Sequence, residues 1–145
     1  MDNLLKLVAV ITSAMFTGAA FYVSAVEHPA RLEMEAVAAI SQFKSSYKRA
    51  APIQVVFSTV CFLACFALWL RTHMWGWIAA GALVVGLIPY TIAFILPVNR
   101  ALLGVGSPPG AASTLLLNRW GHLHTVRTIV GLFGFVWILL QTVRR

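Results

Sequence analysis

The chain carries four apolar runs, each close to the length that crosses a lipid bilayer. A membrane-spanning helix needs about 20 predominantly apolar residues, because the hydrocarbon core is about 30 Å thick and a helix rises about 1.5 Å per residue. The runs occupy residues 4–26, interrupted by Lys6, then 52–70, stopped by Arg71, then 75–97, and a last one ending at Val143 ahead of Arg144 and Arg145. Backbone polar groups in lipid must be satisfied within the segment, so each run is expected to be a helix. Composition agrees. The hydrophobic share is 60% and the charged share 10%, against about 45–50% and about 25% in a soluble domain. Eleven Lys and Arg with four Asp and Glu cannot wet the surface of a chain this size. An ordinary cytosolic enzyme, a disordered chain and a disulfide scaffold are excluded.

The expected fold is all-α: an integral membrane four-helix bundle forming a single domain, with an amphipathic connecting helix between spans 1 and 2. The spans are placed at about 4–26, 52–70, 75–97 and 121–143, and the amphipathic helix at about 30–49. Lys6 and the small residues Val23-Ser24-Ala25 have the flavour of a signal peptide. The apolar run exceeds the usual h-region of about 7–15 residues, so it is read as a retained span. In the 30–49 segment Leu32, Ala36, Ile40, Phe43 and Tyr47 recur at helical spacing. Acids begin that segment and bases end it, as the helix dipole favours. Residues 98–112, with Gly104, Gly106, Pro108, Pro109 and Gly110, read as a loop, followed by a short helix at about 111–119.

Six Lys and Arg near the long connections, against four at the other ends, weakly place the long connections in the cytoplasm of a cell-membrane protein. The net charge of +7 suits anionic lipid headgroups. The expected partners are membrane lipids, an amphipathic small-molecule ligand and, in a homo-oligomer, further copies of the chain. Nucleic acid is not among them, since the bases are scattered and form no stripe.

Membrane helices associate through small and weakly polar residues. Such stripes run through Ser13, Thr17, Ala20 and Ser24, through Gln54, Ser58, Cys61 and Cys65, through Gly76, Ala79, Ala82, Gly86 and Pro89, and through Gly131 and Gly134. Packing is the expected role of most of them. Pro89 removes a hydrogen bond and clashes with the carbonyl of Val85, predicting a kink. Cys61 and Cys65, one turn apart, read as small buried hydrophobes.

The chemically distinctive residues gather where spans meet one membrane face. They are Glu27, His28 and Pro29, then Tyr47, Lys48 and Arg49, then Thr91, Pro97 and Asn99, then Trp120, His122, His124 and Arg127. Arg127 stands out. A span of residues 128–143 would reach only about 24 Å, so the last helix must begin earlier and carry His124 and Arg127 into the bilayer edge. There Arg127 either snorkels to phosphates or turns inward to an anion or a carboxylate. Trp120, His124 and Arg127 share one helix face. His122 points away from it, so His122 and His124 cannot share a metal on an unbroken helix. A metal held by His124 with His28, Glu27 or Glu33, or a haem between His28 and His124, is geometrically allowed but has no supporting motif.

These residues, in order, resemble the anthrone-oxygenase-like family of four-span membrane proteins. The matching pieces are Glu27-His28-Pro29, the run FKSSYKR from Phe43 to Arg49, Pro89-Tyr90-Thr91, Pro97-Val98-Asn99, and the run WGHLHTVR from Trp120 to Arg127. The best-known members oxidise polycyclic anthrones to anthraquinones with molecular oxygen. The resemblance implies an oxygenase whose base removes a proton from an acidic methylene, leaving an enolate that reduces oxygen directly. His124 is the expected base, with His28 as the alternative. Arg127, together with Arg49, would hold the oxyanion. Trp120 and Tyr47 would stack on a flat ligand, with Asn99 and Thr91 orienting it. This scheme demands no cofactor and no metal. The competing readings are a non-catalytic protein binding a lipid or quinone and a haem- or metal-binding membrane subunit. Transport has little support, since the paired broken helices of secondary transporters are not evident.

Overall fold

In the computed structural model, which describes residues 1–104 and 111–143, the chain forms four long helices. They are α1 (Asp2–Leu32), α2 (Ala36–Thr72), α3 (Trp75–Leu103) and α4 (Ala111–Val143). All four are long and apolar enough to cross a membrane. Short turns at 33–35 and 73–74 make consecutive helices antiparallel. Helix α1 packs on α2 and α4, and α3 packs on α2 and α4, closing a four-membered ring. Outward positions such as Leu4, Leu7, Ile11 and Met15 stay exposed, as side chains facing lipid do.

The helices outrun the expected spans. At 29 to 37 residues apiece they are about 44–56 Å long, well beyond the hydrocarbon core of about 30 Å. The excess lies mainly at the end where α1 finishes and α2 begins. The amphipathic stretch there is not a separate connector: from Ala36 it continues through Pro52 into the second span as one helix. Pro52 deprives the Lys48 carbonyl of its N–H partner, but both residues are exposed, so that carbonyl can be solvated. Of its expected apolar face Ile40 and Phe43 are buried and Tyr47 is half-buried, while Leu32 and Ala36 are exposed.

Pro29 and Pro97 likewise fail to end their helices. Each follows a π-helical turn, Val23–Glu27 and Thr91–Ile95, and each stands two residues beyond it. A proline ring clashes with the carbonyl four residues back. Those carbonyls belong to Ala25 and Ala93, the central residues of the two π turns. The wider winding accommodates the ring and lets the helix go on. At Pro89 the helix is interrupted at Gly86, between Trp75–Val85 and Leu87–Tyr90, where a kink was expected.

The predicted loop at 98–112 is helical as far as Leu103, which places Asn99 on a helix. The Gly106, Pro108, Pro109 and Gly110 portion lies outside the described residues. The short helix expected at 111–119 is the start of α4.

Three small-residue stripes face the interior: Ser13, Thr17, Ala20, Gln54, Ser58, Cys61, Cys65, Gly131 and Gly134 are buried. The third does not. Ala79, Ala82, Gly86 and Pro89 are exposed, and Trp77, Ala80, Gly81, Val84 and Leu87 turn inward instead. Close approach explains the choice. A Cβ on Gly81 would stand 2.7 Å from the Cys65 Cβ, and one on Gly134 would stand 2.7 Å from a Val84 methyl. A large residue on one helix meets a glycine on the next. Two apolar clusters fill the interior, one around Phe16, Leu68, Trp77 and Ile138, the other around Phe43, Ile95, Leu102 and Trp120.

Candidate functional site

Between these clusters the four helices enclose a cavity of about 230 Å³. Each helix contributes a polar side chain to it: Arg31 from α1, Tyr47 and Gln54 from α2, Thr91 and Asn99 from α3, and His124 and Arg127 from α4. It lies toward the end of the bundle where α1 finishes and α4 begins, at the level where apolar span gives way to amphipathic helix.

An aromatic wall forms one side. Trp120 stacks on His124 with ring centroids 4.7 Å apart. Phe43 meets Trp120 edge-on at 5.3 Å and stacks on Tyr47 at 5.9 Å. The Trp120 indole Nε1 donates to Asn99 Oδ1 at 2.7 Å, which fixes the indole plane. Asn99 is therefore both a lining residue and the clamp of the wall. Thr91 reaches the cavity but donates its proton to the Leu87 carbonyl at 2.7 Å, leaving its oxygen as an acceptor.

Two guanidinium groups line the same space with opposite electrostatics. Arg31 is buried and paired with Glu27, Nη2 to Oε1 at 2.6 Å. That carboxylate oxygen also accepts from Gln42 Nε2 at 2.8 Å and Ser46 Oγ at 2.5 Å. Arg31 donates to Gln42 as well and lies over the Phe43 and Trp120 rings. Its charge is neutralised, its donors are largely engaged, and it packs against two rings of the wall. Arg127 has no such partner: among the described residues no carboxylate pairs with it. It donates to Gln54 Oε1 and lies over the Phe16 ring at 5.1 Å. Its Nε is buried with no acceptor. Arg127 thus turns inward, but onto the Gln54 amide and the Phe16 ring and not onto a carboxylate.

His124 is buried, and its Nδ1 lies 3.0 Å from Ser24 Oγ. Nε2 is the nitrogen left for a ligand. Six of the eight residues expected at a site, Tyr47, Thr91, Asn99, Trp120, His124 and Arg127, line this one cavity. The other two do not. His28 is buried behind Trp120, at 5.2 Å, with its Nδ1 facing Arg31 Nη1 at 3.5 Å and its ring against Gly121. Arg49 is exposed and borders a separate shallow groove on the outer side of α2. A helix turn explains this: Tyr47 and Arg49, two residues apart, point about 200° apart.

Trp120 touches both imidazoles, so His28 and His124 do not face one open space, which a haem held between them would require. Among the described residues no three His, Cys, Asp or Glu side chains converge as a metal set.

The family model described as "Anthrone oxygenase" matches residues 41–137. The chain belongs to the anthrone oxygenase family. A curated relative, anthrone oxygenase tpcL of Aspergillus fumigatus, is 35% identical over 71 residues, covering 46% of this chain and 44% of the relative. The chain thus matches less than half the length of that relative. No solved structure matches.

The family match contains every cavity residue from α2, α3 and α4, but α1 lies outside it. Residue spacing alone does not single out Arg31, the polar side chain that α1 gives the cavity. Arg31 reads as a surface charge once Pro29 is taken to end the helix. With the helix continuous, Glu27 and Arg31 become an i, i+4 pair, which was the available signal. Ser24 and Gln54 read as packing residues but touch His124 and Arg127.

Proposed function

We propose that this chain is a membrane oxygenase that converts the acidic methylene of a flat, polycyclic aromatic ligand of the anthrone kind to a carbonyl, using molecular oxygen. The observation that carries the reading is Arg127: a cation without a carboxylate partner, its Nε buried and unpaired, beside His124 and an aromatic wall in one cavity. A guanidinium left so has a use for an anionic oxygen, and an enolate supplies one. The cavity, at about 230 Å³, falls below the roughly 300–1,000 Å³ usual for drug-sized ligands. That suits a compact, flat molecule.

In this scheme His124 Nε2 takes one methylene proton, and the electron pair spreads through the rings onto the carbonyl oxygen held by Arg127. The carbanion carbon is oxidised by oxygen and forms a carbon–oxygen bond, giving a hydroperoxide. Loss of the second methylene proton with cleavage of the oxygen–oxygen bond gives the carbonyl and water. One oxygen molecule and one methylene become one carbonyl and one water. Trp120, Phe43 and Tyr47 hold the rings flat, and the site's depth at the membrane interface lets an apolar substrate enter from lipid.

The test is oxygen uptake by the detergent-purified protein with an anthrone. The expected result is one oxygen consumed per anthrone, with His124→Ala and Arg127→Ala each lowering kcat/KM by about a hundredfold or more. Arg127→Lys keeps the charge but loses the fork, and is expected to recover only part of the rate. Full turnover in the alanine variants overturns the assignment. Binding of the anthrone without oxygen uptake supports a non-catalytic binder of amphipathic molecules instead.

A further inference from the structure

His124 does not stand alone. Its Nδ1 lies 3.0 Å from Ser24 Oγ, and Ser24 Oγ lies 2.8 Å from Thr128 Oγ1. Thr128 Oγ1 in turn lies 3.1 Å from two carbonyl oxygens, those of Ala20 and His124. The chain of hydrogen bonds runs between α1 and α4, with Ser24 inside the π turn Val23–Glu27 and Thr128 one turn beyond His124.

The direction of such a chain is set by its ends. A carbonyl oxygen can only accept. If Thr128 gives its single proton to a carbonyl, its oxygen must accept from Ser24, and Ser24 must then accept from His124 Nδ1–H. This arrangement forms three hydrogen bonds and leaves Nε2 with a bare lone pair. The reverse arrangement has Thr128 donating to Ser24 and Ser24 donating to Nδ1. It forms two, and it leaves Nε2–H without an acceptor among the described residues. The first arrangement keeps one hydrogen bond more than the second, and each bond lost costs stability.

We infer that Ser24 and Thr128 are positioning residues that hold His124 as the Nδ1–H tautomer, so that the nitrogen left for the cavity carries a lone pair. Neither hydroxyl is asked to touch the ligand. They act through the imidazole, as the orienting member of a catalytic triad does. The catalytic consequence rests on His124 being the base proposed above; the tautomer itself does not.

Nitrogen-15 NMR of histidine-labelled full-length protein in detergent micelles tests this, with the His124 signals assigned by their loss in His124→Gln. The wild-type spectrum is expected to show a protonated Nδ1 and an unprotonated Nε2. Thr128→Val, which keeps the shape and removes the hydroxyl, is expected to raise the Nε2–H population and to lower kcat with an anthrone by roughly tenfold or more, leaving KM close to wild type. Thr128→Ser is expected to restore both signals and rate. A wild-type spectrum dominated by Nε2–H overturns the inference, and so does a Thr128→Val spectrum unchanged from wild type. The wild-type spectrum decides the matter even where a variant does not fold. If the tautomer is Nδ1–H and His124→Ala still turns over anthrone, the proposed base fails and the hydrogen-bond chain stands.

Discussion

Two ion pairs in this protein have similar lengths and very different surroundings. Arg31 and Glu27 are 2% and 17% exposed, whereas Arg71 and Asp2 are 42% and 43% exposed. Removing one partner of a buried pair strands an uncompensated charge, typically at about 3–5 kcal/mol, while an exposed pair contributes about 0–1 kcal/mol. Glu27→Gln keeps the shape but leaves the Arg31 cation unpaired beside Phe43 and Trp120. It is expected to lower the unfolding midpoint in detergent clearly, whereas Arg71→Ala is expected to leave it within the error of the scan. Glu27 was visible in the sequence as an acid at the end of an apolar run, but its partner was not. Pro29 between them hid the spacing, because a proline ordinarily stops a helix, and here a π turn lets it pass. Arg49 shows the converse: it sits in a conspicuous basic run, yet the helix turns it outward.

At the level of helices, glycines mark where two axes come closest. Gly134 meets Val84, Gly81 meets Cys65, and Gly131 meets Phe16 with a would-be Cβ contact of 3.1 Å. Gly134→Val would drive branched carbon into the Val84 side chain. Overpacking of this kind costs roughly 1–3 kcal/mol, and thermal unfolding in detergent should register it. Gly18→Ala is the matched control: nothing lies within 4 Å of its Cβ, so its midpoint should hold or rise slightly, since alanine is the better helix former by up to about 1 kcal/mol. The small-residue rule found the inner face of α1, α2 and α4 and chose the wrong face of α3. There the large residues Trp77, Val84 and Leu87 go inside, because the glycine that admits Val84 stands on α4. Which of two faces is small enough depends on the neighbour, and one helix's sequence does not contain its neighbour.

Across the whole molecule, the ring of four antiparallel helices puts the cavity and the Asp2–Arg71 pair at opposite ends of the bundle, so four membrane crossings would set them on opposite faces. Arg31 no longer counts toward orientation, since it is buried and neutralised; without it the basic residues stand five to four, and charge favours neither side. Labelling can decide. Exposed positions Lys48 and Met74 lie at opposite ends, so in sealed vesicles a membrane-impermeant maleimide should reach Lys48→Cys and Met74→Cys from opposite sides. Labelling of both from one side refutes the four-span topology. Native Cys61 and Cys65 are buried and should react only after denaturation. The sequence by itself determined the all-α fold class, four stretches long and apolar enough to cross a membrane, and the gathering of polar residues toward one end of the bundle. Apolar length and the order of charges along a chain are one-dimensional quantities, and a bilayer reads them directly. Only the tertiary structure decided which side of each helix looks inward, and so which guanidinium meets the cavity paired and which unpaired. Each residue turns a helix face by about 100°, and the final rotation is set by packing against three other helices.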